Sequence, residues 1–128
     1  MDKKRILLVN DDEFYLSKVG SILKKKYEVI TAKSGKDAME YLLKGVVPDL
    51  ILLDILMSDL DGWETFIRIR TTNSLKDVPV VFLTSAIESA EVKHAKEIGA
   101  VDYITTPYRM DYLLDRIDKI LRESTTLP

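Results

Sequence analysis

An apolar run that ends on a carboxylate constrains this chain more than any other stretch of its sequence. Residues 50–53 are all leucine or isoleucine, Pro48 stands just ahead of them, and Asp54 follows directly. Such uninterrupted apolar runs are typical of parallel strands that are buried on both faces. Open α/β sheets bind their ligands at the carboxyl ends of the strands, where Asp54 would lie. A lone aspartate after a strand more often begins a polar turn, so a chemical role for Asp54 depends on what the other strands supply.

Strand-like runs alternate with segments of helical periodicity along the chain. The predicted strands are residues 6–9, 27–31, 50–53, 79–83 and 101–105. Apolar residues at helical spacing predict a helix after each strand. The second is predicted to begin after a cap at Ser34 and to end at Gly45, with an apolar stripe of Ala38, Met39, Leu42 and Leu43. The fourth, residues 88–98, has a thin apolar stripe, whereas the last has a clean one at Met110, Leu113, Leu114, Ile117, Ile120 and Leu121. Five strands alternating with five helices over short connections predict the α/β class, with a doubly wound parallel sheet and helices on both faces.

The composition is that of one soluble domain. The 128 residues are 46% hydrophobic and 31% charged, which is ordinary for a globular chain. Residues 1–123 are predicted to form the domain, and residues 124–128 a tail or the start of a linker. A net charge of -2 argues against direct binding to nucleic acid. The chain has no cysteine and no apolar run of membrane-spanning length, so we expect no disulfide, no thiolate metal site, no membrane partner and a cytoplasmic location.

Polar side chains follow four of the five predicted strands. Because the carboxyl ends of parallel strands meet at one edge of a sheet, we expect these polar side chains to converge. They are Asn10, Asp11 and Asp12 after the first strand, Asp54 after the third, Thr84 after the fourth and Thr106 after the fifth. Clustered carboxylates repel one another unless a cation neutralises them, and an all-oxygen set suits a hard ion such as Mg²⁺. A carboxylate beside Mg²⁺ can accept a phosphoryl group as an acyl phosphate, and the Thr84 hydroxyl could hydrogen-bond a phosphoryl oxygen. The alternative is a set of acidic loop ends that are simply solvated.

Five motifs, in this order and spacing, carry a resemblance to a known family. They are residues 6–11 (Ile-Leu-Leu-Val-Asn-Asp), 48–54 (Pro-Asp-Leu-Ile-Leu-Leu-Asp), 61–62 (Asp-Gly), 79–85 (Pro-Val-Val-Phe-Leu-Thr-Ser) and 99–104 (Gly-Ala-Val-Asp-Tyr-Ile). Across residues 4–123 the chain resembles a response-regulator receiver domain of two-component signal transduction. The resemblance implies a flavodoxin-like sheet of strand order 2-1-3-4-5 and a role as a switch in a phosphorelay.

The resemblance also assigns roles to individual residues. It implies that Asp54 accepts the phosphoryl group, that Thr84 senses it, and that Tyr103 is the aromatic side chain that swings inward with it. The implied Mg²⁺ ligands are Asp11, Asp54, Asn10, Asp12 and the backbone carbonyl of Leu56. The implied donor is a phosphohistidine on a sensor histidine kinase or a phosphotransfer protein. The implied output face comprises the fourth helix, the fifth strand and the fifth helix, and a homodimer could form through the same face.

Two positions depart from the family pattern in charge. Asn10 replaces an acidic residue, and Thr106 replaces the lysine whose ammonium pairs with the acceptor and then with its phosphoryl group; Ser58, in place of a proline, is a milder change. A threonine hydroxyl carries no charge, and charge-assisted hydrogen bonds are about twice as strong as neutral ones. One carboxylate and one ammonium are lost together, so the net charge of the site resembles that of the family. We therefore expect Mg²⁺ binding to survive in weakened form and phosphorylation-driven switching to be impaired or altered.

Two functions stay open at this point. The first is a phospho-accepting receiver, which Asp54 and Thr84 favour. The second is a phosphorylation-independent pseudo-receiver that binds a protein partner through the same face, which Asn10 and Thr106 favour. A flavodoxin-type cofactor binder would need a phosphate loop rich in Gly, Ser or Thr after the first strand, where the acidic residues 11–13 would instead repel a phosphate. The sequence shows no Ser/His/Asp set and no second catalytic base, so we do not expect an independent enzyme.

Overall fold

Five parallel strands form one sheet at the centre of the protein. The computed structural model describes residues 3–54, 62–84, 97, 99–100, 102–105 and 108–126. The strands are β1 (Arg5–Val9), β2 (Glu28–Ala32), β3 (Leu50–Leu53), β4 (Val80–Thr84) and β5 (Asp102–Thr105). They pair in the order β2-β1-β3-β4-β5, and every pair is parallel. The predicted sheet and its strand order are confirmed.

Four helices are described around this sheet. They are α1 (Glu13–Leu23), α2 (Gly35–Leu42), α3 (Gly62–Arg70) and the C-terminal helix (Met110–Thr126). The predicted fourth helix, residues 88–98, lies outside the described residues except for Glu97. The C-terminal helix continues through residues 124–126, which the sequence analysis assigned to a tail; the domain boundary at residue 123 stays a prediction. Within the described part of the chain, no helix combines the length and the apolar character needed to cross a membrane.

The central strands are buried from both sides, which explains their uninterrupted apolar sequence. On one side, the α2–α3 face, alternate strand residues pack with residues of these two helices: Leu7, Val9, Ile51 and Leu53 with Ala38, Leu42, Phe66 and Ile69. On the other side, the α1 face, the intervening residues pack with α1 and the C-terminal helix: Ile6, Leu8, Leu50 and Leu52 with Leu16, Leu23, Leu113 and Ile117. Burying each leucine, isoleucine, valine or phenylalanine side chain among these contributes about 1.5–3 kcal/mol relative to exposure. The apolar run ahead of Asp54 is therefore fixed firmly from both faces.

Local capping sets the limits of α2. The Ser34 hydroxyl oxygen accepts a hydrogen bond from the backbone N–H of Asp37 at 3.0 Å, which confirms the predicted cap. Beyond the helix, Gly45 has a φ of +96°, a conformation that glycine adopts without steric cost. Leu43, a predicted member of the buried stripe of this helix, is instead 67% exposed, because α2 ends at Leu42. The last turn therefore points one predicted core residue into solvent.

Candidate functional site

Two neighbouring strands deliver Asn10 and Asp54 to the same edge of the sheet. Val9 and Leu53, the last residues of β1 and β3, are register partners. The backbone N–H of Asp54 donates to the carbonyl of Val9 at 3.1 Å, and that of Asn10 donates to the carbonyl of Ala32 at 3.1 Å. Backbone hydrogen bonds therefore fix the loop after β1 directly beside Asp54.

The loop after β1 is held in place by its own side chains. Asn10 Oδ1 accepts a hydrogen bond from the backbone N–H of Asp12 at 2.9 Å. Asp12 Oδ1 accepts hydrogen bonds from the N–H groups of Phe14 and Tyr15 at 2.9 and 3.3 Å, so Asp12 is the N-cap of α1. A carboxylate there also interacts favourably with the positive end of the helix dipole. Metal ligation by Asn10 or Asp12 stays a prediction, and each side chain already has a structural task in this loop.

Asp11 and Asp54 provide the acidic character of this edge. Asp11 is exposed and Asp54 is half-buried, at the boundary between the core and solvent. Within residues 3–54, 62–84 and the other described segments, no ion pair involves Asp11. The two carboxylates thus differ in environment: Asp11 faces solvent, whereas Asp54 follows the most buried strand of the sheet.

The donors at this edge match the chemistry of Mg²⁺. The described residues contain no group of three or more His, Cys, Asp or Glu side chains arranged to hold a metal. Mg²⁺ needs fewer protein ligands than that, because it keeps several waters and is commonly held by one or two carboxylates together with phosphate oxygens. Asp11 and Asp54 would be those carboxylates. Leu56, whose backbone carbonyl is the further predicted ligand, lies outside the described residues.

The residues predicted to sense the phosphoryl group belong to the next two strands. Thr84 is the last residue of β4, two positions beyond Phe82, which pairs with Leu53. Thr84 therefore reaches the same edge of the sheet as Asp54. Tyr103 pairs with Phe82 from the other side and is half-buried against the α2–α3 face. Thr106 lies outside the described residues, and the sensing roles stay predictions.

The structure adds two residues that the sequence analysis did not assign to the site. The hydroxyl groups of Tyr15 and Tyr108 form a hydrogen bond in which either oxygen can be the donor, although the residues are 93 positions apart. Tyr15 lies in the first turn of α1, and Tyr108 lies two residues ahead of the C-terminal helix. Both rings are half-buried and pack against the α1 face. In the sequence, Tyr15 lies three positions after Asp12 and Tyr108 lies two positions after Thr106, and this nearness to predicted site residues was the signal available.

The electrostatic surroundings connect this pair to Asp54. Burial raises the pKa of the Tyr15 phenol, and the hydrogen bond with Tyr108 and the negative charge of Asp54 raise it further. Burial also raises the pKa of Tyr108, while its hydrogen bond with Tyr15 acts in the opposite direction. Both phenols are therefore neutral at physiological pH. The negative charge of Asp54 therefore acts on an uncharged phenol at Tyr15.

Comparisons with known proteins identify relatives along nearly the whole chain. The response regulator receiver domain is the family whose model matches, over residues 6–118. The chain is 34% identical over 124 residues to the transcriptional regulatory protein DltR of Streptococcus agalactiae, and the aligned region covers 96% of this chain and 54% of DltR. It is 36% identical over 118 residues to the transcriptional regulatory protein AfsQ1 of Streptomyces coelicolor, covering 91% and 51%. The chain thus spans about half the length of these curated relatives.

A solved structure agrees with these sequence matches. The non-phosphorylated HemR receiver domain from Leptospira biflexa superposes with a TM-score of 0.85 at 31% identity, over 98% of this chain and 97% of that chain. The family match, the relatives and the similar structure agree with the strand order of the sheet and with its acidic carboxyl edge. This chain belongs to the response regulator receiver domains of two-component systems.

Proposed function

We propose that this receiver domain accepts a phosphoryl group on Asp54 from a phosphohistidine of a sensor histidine kinase or phosphotransfer protein. The observation that carries the proposal is the placement of Asp54. Its carboxylate is half-buried, directly follows the central strand β3, and stands beside the loop that contains Asp11. A donor can approach from solvent, while the backbone behind the acceptor is fixed by the core.

The proposed chemistry is a phosphoryl transfer between two proteins. One carboxylate oxygen of Asp54 forms a bond to phosphorus while the bond between phosphorus and the donor's imidazole nitrogen breaks. The imidazole leaves with the electron pair and takes up a proton from solvent, and Asp54 becomes an acyl phosphate. When bound, Mg²⁺ supplies positive charge that reduces the repulsion between the carboxylate and the anionic phosphoryl group. Asp11 and Asp54 are the side chains proposed to hold it.

The response to phosphorylation is proposed to pass through neighbouring strands. Thr84 ends β4 and Tyr103 lies in β5, which pairs with β4 along its length. A hydrogen bond from the Thr84 hydroxyl to a phosphoryl oxygen would pull on β4, and the change would reach Tyr103 on the adjacent strand. The proposed output face comprises the segment of the predicted fourth helix, β5 and the C-terminal helix, and it could also form a homodimer. We propose further that the domain acts in the cytoplasm and is a phosphoryl acceptor rather than an enzyme with its own substrate.

A phosphorylation-independent protein-binding module is the second candidate. Asn10 favours it, because this side chain brings no second carboxylate and its Oδ1 holds the N–H of Asp12 within the loop. Thr106 favours it too, because a hydroxyl cannot supply the ammonium charge that the family's lysine provides. These two residues would weaken phosphorylation without disturbing the fold.

The test is to incubate the purified domain with Mg²⁺ and acetyl phosphate and to measure its intact mass. We expect a gain of one phosphoryl group that Asp54→Asn abolishes. Asp49→Asn is the matched control: Asp49 is the same residue type at the opposite end of the same strand, where its carboxylate accepts the N–H of Arg5 at 2.7 Å. This variant should be phosphorylated like the natural sequence.

The remaining outcomes separate the two candidates. A gain of mass that persists in Asp54→Asn would contradict the assigned acceptor. If the natural sequence gains no mass but a Thr106→Lys variant does, the acceptor site is intact and the chain works as the phosphorylation-independent module.

A further inference from the structure

The Tyr15–Tyr108 hydroxyl pair joins two parts of the chain that flank the proposed acceptor. The backbone N–H of Tyr15 donates to Asp12 Oδ1 at 3.3 Å, which connects this residue directly to the loop beside Asp54. Tyr108 lies three positions after Thr105, the last residue of β5. The backbone of Thr105 pairs with Thr84 on β4. Both described residues that flank positions 106 and 107 are therefore anchored, one by the sheet and the other by Tyr15.

The hydrogen-bonding capacity of the pair leaves one proton available. Each tyrosine hydroxyl has one O–H hydrogen and can also accept hydrogen bonds. When one hydroxyl donates to the other, the second hydroxyl keeps its hydrogen for a further acceptor. Burial and the contact with Tyr108 raise the pKa of the Tyr15 phenol, and the negative charge of Asp54 acts in the same direction. A carboxylate or phosphoryl oxygen at Asp54 is the kind of acceptor that this remaining hydrogen suits.

We propose that Tyr15 and Tyr108 are positioning residues of the Asp54 site: their hydroxyl pair holds Tyr108, just ahead of the C-terminal helix, against α1 and responds to the charge on Asp54. This inference rests on the proposed function for its effect on phosphorylation, but the coupling to Asp54 can be measured without it. A buried phenol pair costs less desolvation than a buried charge, which suits a site half covered by the core.

The first measurement is the rate of phosphorylation by acetyl phosphate in Tyr15→Phe, Tyr108→Phe and the double variant. Each change removes the hydroxyl pair and keeps the ring, so we expect the maximal rate constant to fall about five-fold, as for one lost hydrogen bond. The half-saturating concentration of acetyl phosphate should stay constant. The double variant should match the single ones, because any of the three removes the same interaction. Tyr112→Phe is the control, since Tyr112 is 50% exposed on the C-terminal helix.

The second measurement needs no phosphorylation. With carbon-13 placed at the ring carbon that bears the hydroxyl, each of the six tyrosines gives one NMR signal, assigned by the Phe variants. In Asp54→Asn we expect the signals of Tyr15 and Tyr108 to move and that of Tyr112 to stay. Urea unfolding of every variant shows whether a fall in rate merely follows a fall in stability.

The outcomes distinguish the inference from the function on which it rests. Unchanged maximal rate constants in Tyr15→Phe and Tyr108→Phe would overturn the inference. NMR signals of Tyr15 and Tyr108 that do not shift in Asp54→Asn would overturn it as well. A fall in rate that Tyr112→Phe reproduces would overturn it too. If the natural sequence accepts no phosphoryl group, the proposed function fails, and the NMR signals alone decide whether the pair is coupled to Asp54.

Discussion

The two ends of the sheet use aspartate in different ways. At the amino end, Asp49 and Arg5 exchange two hydrogen bonds: the N–H of Arg5 donates to Asp49 Oδ2 at 2.7 Å, and the N–H of Asp49 donates to the Arg5 carbonyl at 2.8 Å. Nearby, Arg5 pairs with Glu28 at 3.1 Å, and Lys26 pairs with Asp118 at 3.2 Å. Acidic groups at this end are matched by cations or backbone donors of the same fold.

At the carboxyl end the carboxylates lie beside one another instead. Register brings Asp54 next to the loop of Asn10, Asp11 and Asp12, in which Asn10 accepts the N–H of Asp12 and Asp12 caps α1. Like charges placed together cost free energy unless a cation joins them. The amino end therefore uses its acids for stability, whereas the proposed function assigns the acids of the carboxyl end to binding Mg²⁺ and a phosphoryl group.

The largest effect on stability should come from the amino end. Asp49→Ala leaves the backbone N–H of Arg5 without this acceptor. The loss of a partly buried hydrogen bond to a carboxylate costs about 2 kcal/mol of unfolding free energy. Asp49→Asn keeps an acceptor oxygen and should lose less. Urea unfolding measures both. Equal stability of Asp49→Ala and the natural sequence would show that the amino end does not depend on this carboxylate.

Added Mg²⁺ should act on the carboxyl end alone. A ligand that binds only the folded state stabilises it by about 1.4 kcal/mol at ten times its dissociation constant. We expect this gain for the natural sequence and for Asp49→Asn, and its loss in Asp11→Asn and Asp54→Asn. Thermal unfolding in a series of Mg²⁺ concentrations, with equal ionic strength throughout, is the measurement. A gain that survives in both carboxyl-end variants would place the ion elsewhere.

Asp12 should behave as a structural residue although it lies at the carboxyl end. Asp12→Ala removes the N-cap of α1 and should cost about 1 kcal/mol, whereas Asp12→Ser keeps a capping oxygen and should cost a fraction of that. Chemical unfolding tests the order of these two variants. If Asp12→Ser loses the response to Mg²⁺ while Asp11→Asn keeps it, Asp12 rather than Asp11 is the metal ligand of this loop.

The smallest effect concerns the exposed ion pair of Glu13 and Lys33, at the rim of the carboxyl end. The hydrogen bond from Lys33 lowers the pKa of Glu13 below its ordinary 4.5. The contribution of the pair to the free energy of unfolding is therefore fully present above pH 4.5, and it is lost as the pH falls through the lowered pKa of Glu13. The same contact raises the pKa of Lys33 above its ordinary 10.5. The contribution of the pair to the free energy of unfolding is therefore complete below pH 10.5, and it is lost as the pH rises through the raised pKa of Lys33.

Lys33→Met should therefore lower stability slightly and evenly between these two limits, and the difference should vanish in acid. Unfolding at several pH values, repeated at high salt, measures it. A difference that persists when Glu13 is protonated or when salt is added would show that packing of the Lys33 stem, not charge, is responsible.

The sheet and Asp54 could be predicted from sequence because their signals are local. A run of buried apolar residues defines each strand, and the residue that follows it lies at the carboxyl edge whatever the details of packing. The cap of α2 at Ser34 was predictable for the same reason. Leu43 was placed wrongly in the core because apolar periodicity continues past the point where the α2 backbone stops being helical.

The contacts made by side chains from distant segments could not be predicted. Nothing near Tyr15 in sequence indicates that its hydroxyl meets Tyr108, because that contact depends on how α1 and the end of β5 pack on the same face. The task of Asp12 was hidden for a different reason. An aspartate after a strand and before a helix can ligate a metal or cap the helix, and only the hydrogen bonds to Phe14 and Tyr15 show that it caps.

The strand order has a consequence for how the protein is made. β1 is synthesised first but lies inside the sheet, between β2 and β3. The first 54 residues thus contain β1, its two pairing partners β2 and β3, and the whole acidic edge from Asn10 to Asp54. On a ribosome this half can assemble before β4 and β5 emerge, and until then it presents the unpaired, wholly apolar edge of β3. That interval is where we expect chaperone binding or aggregation during synthesis, and the arrival of β4 ends it.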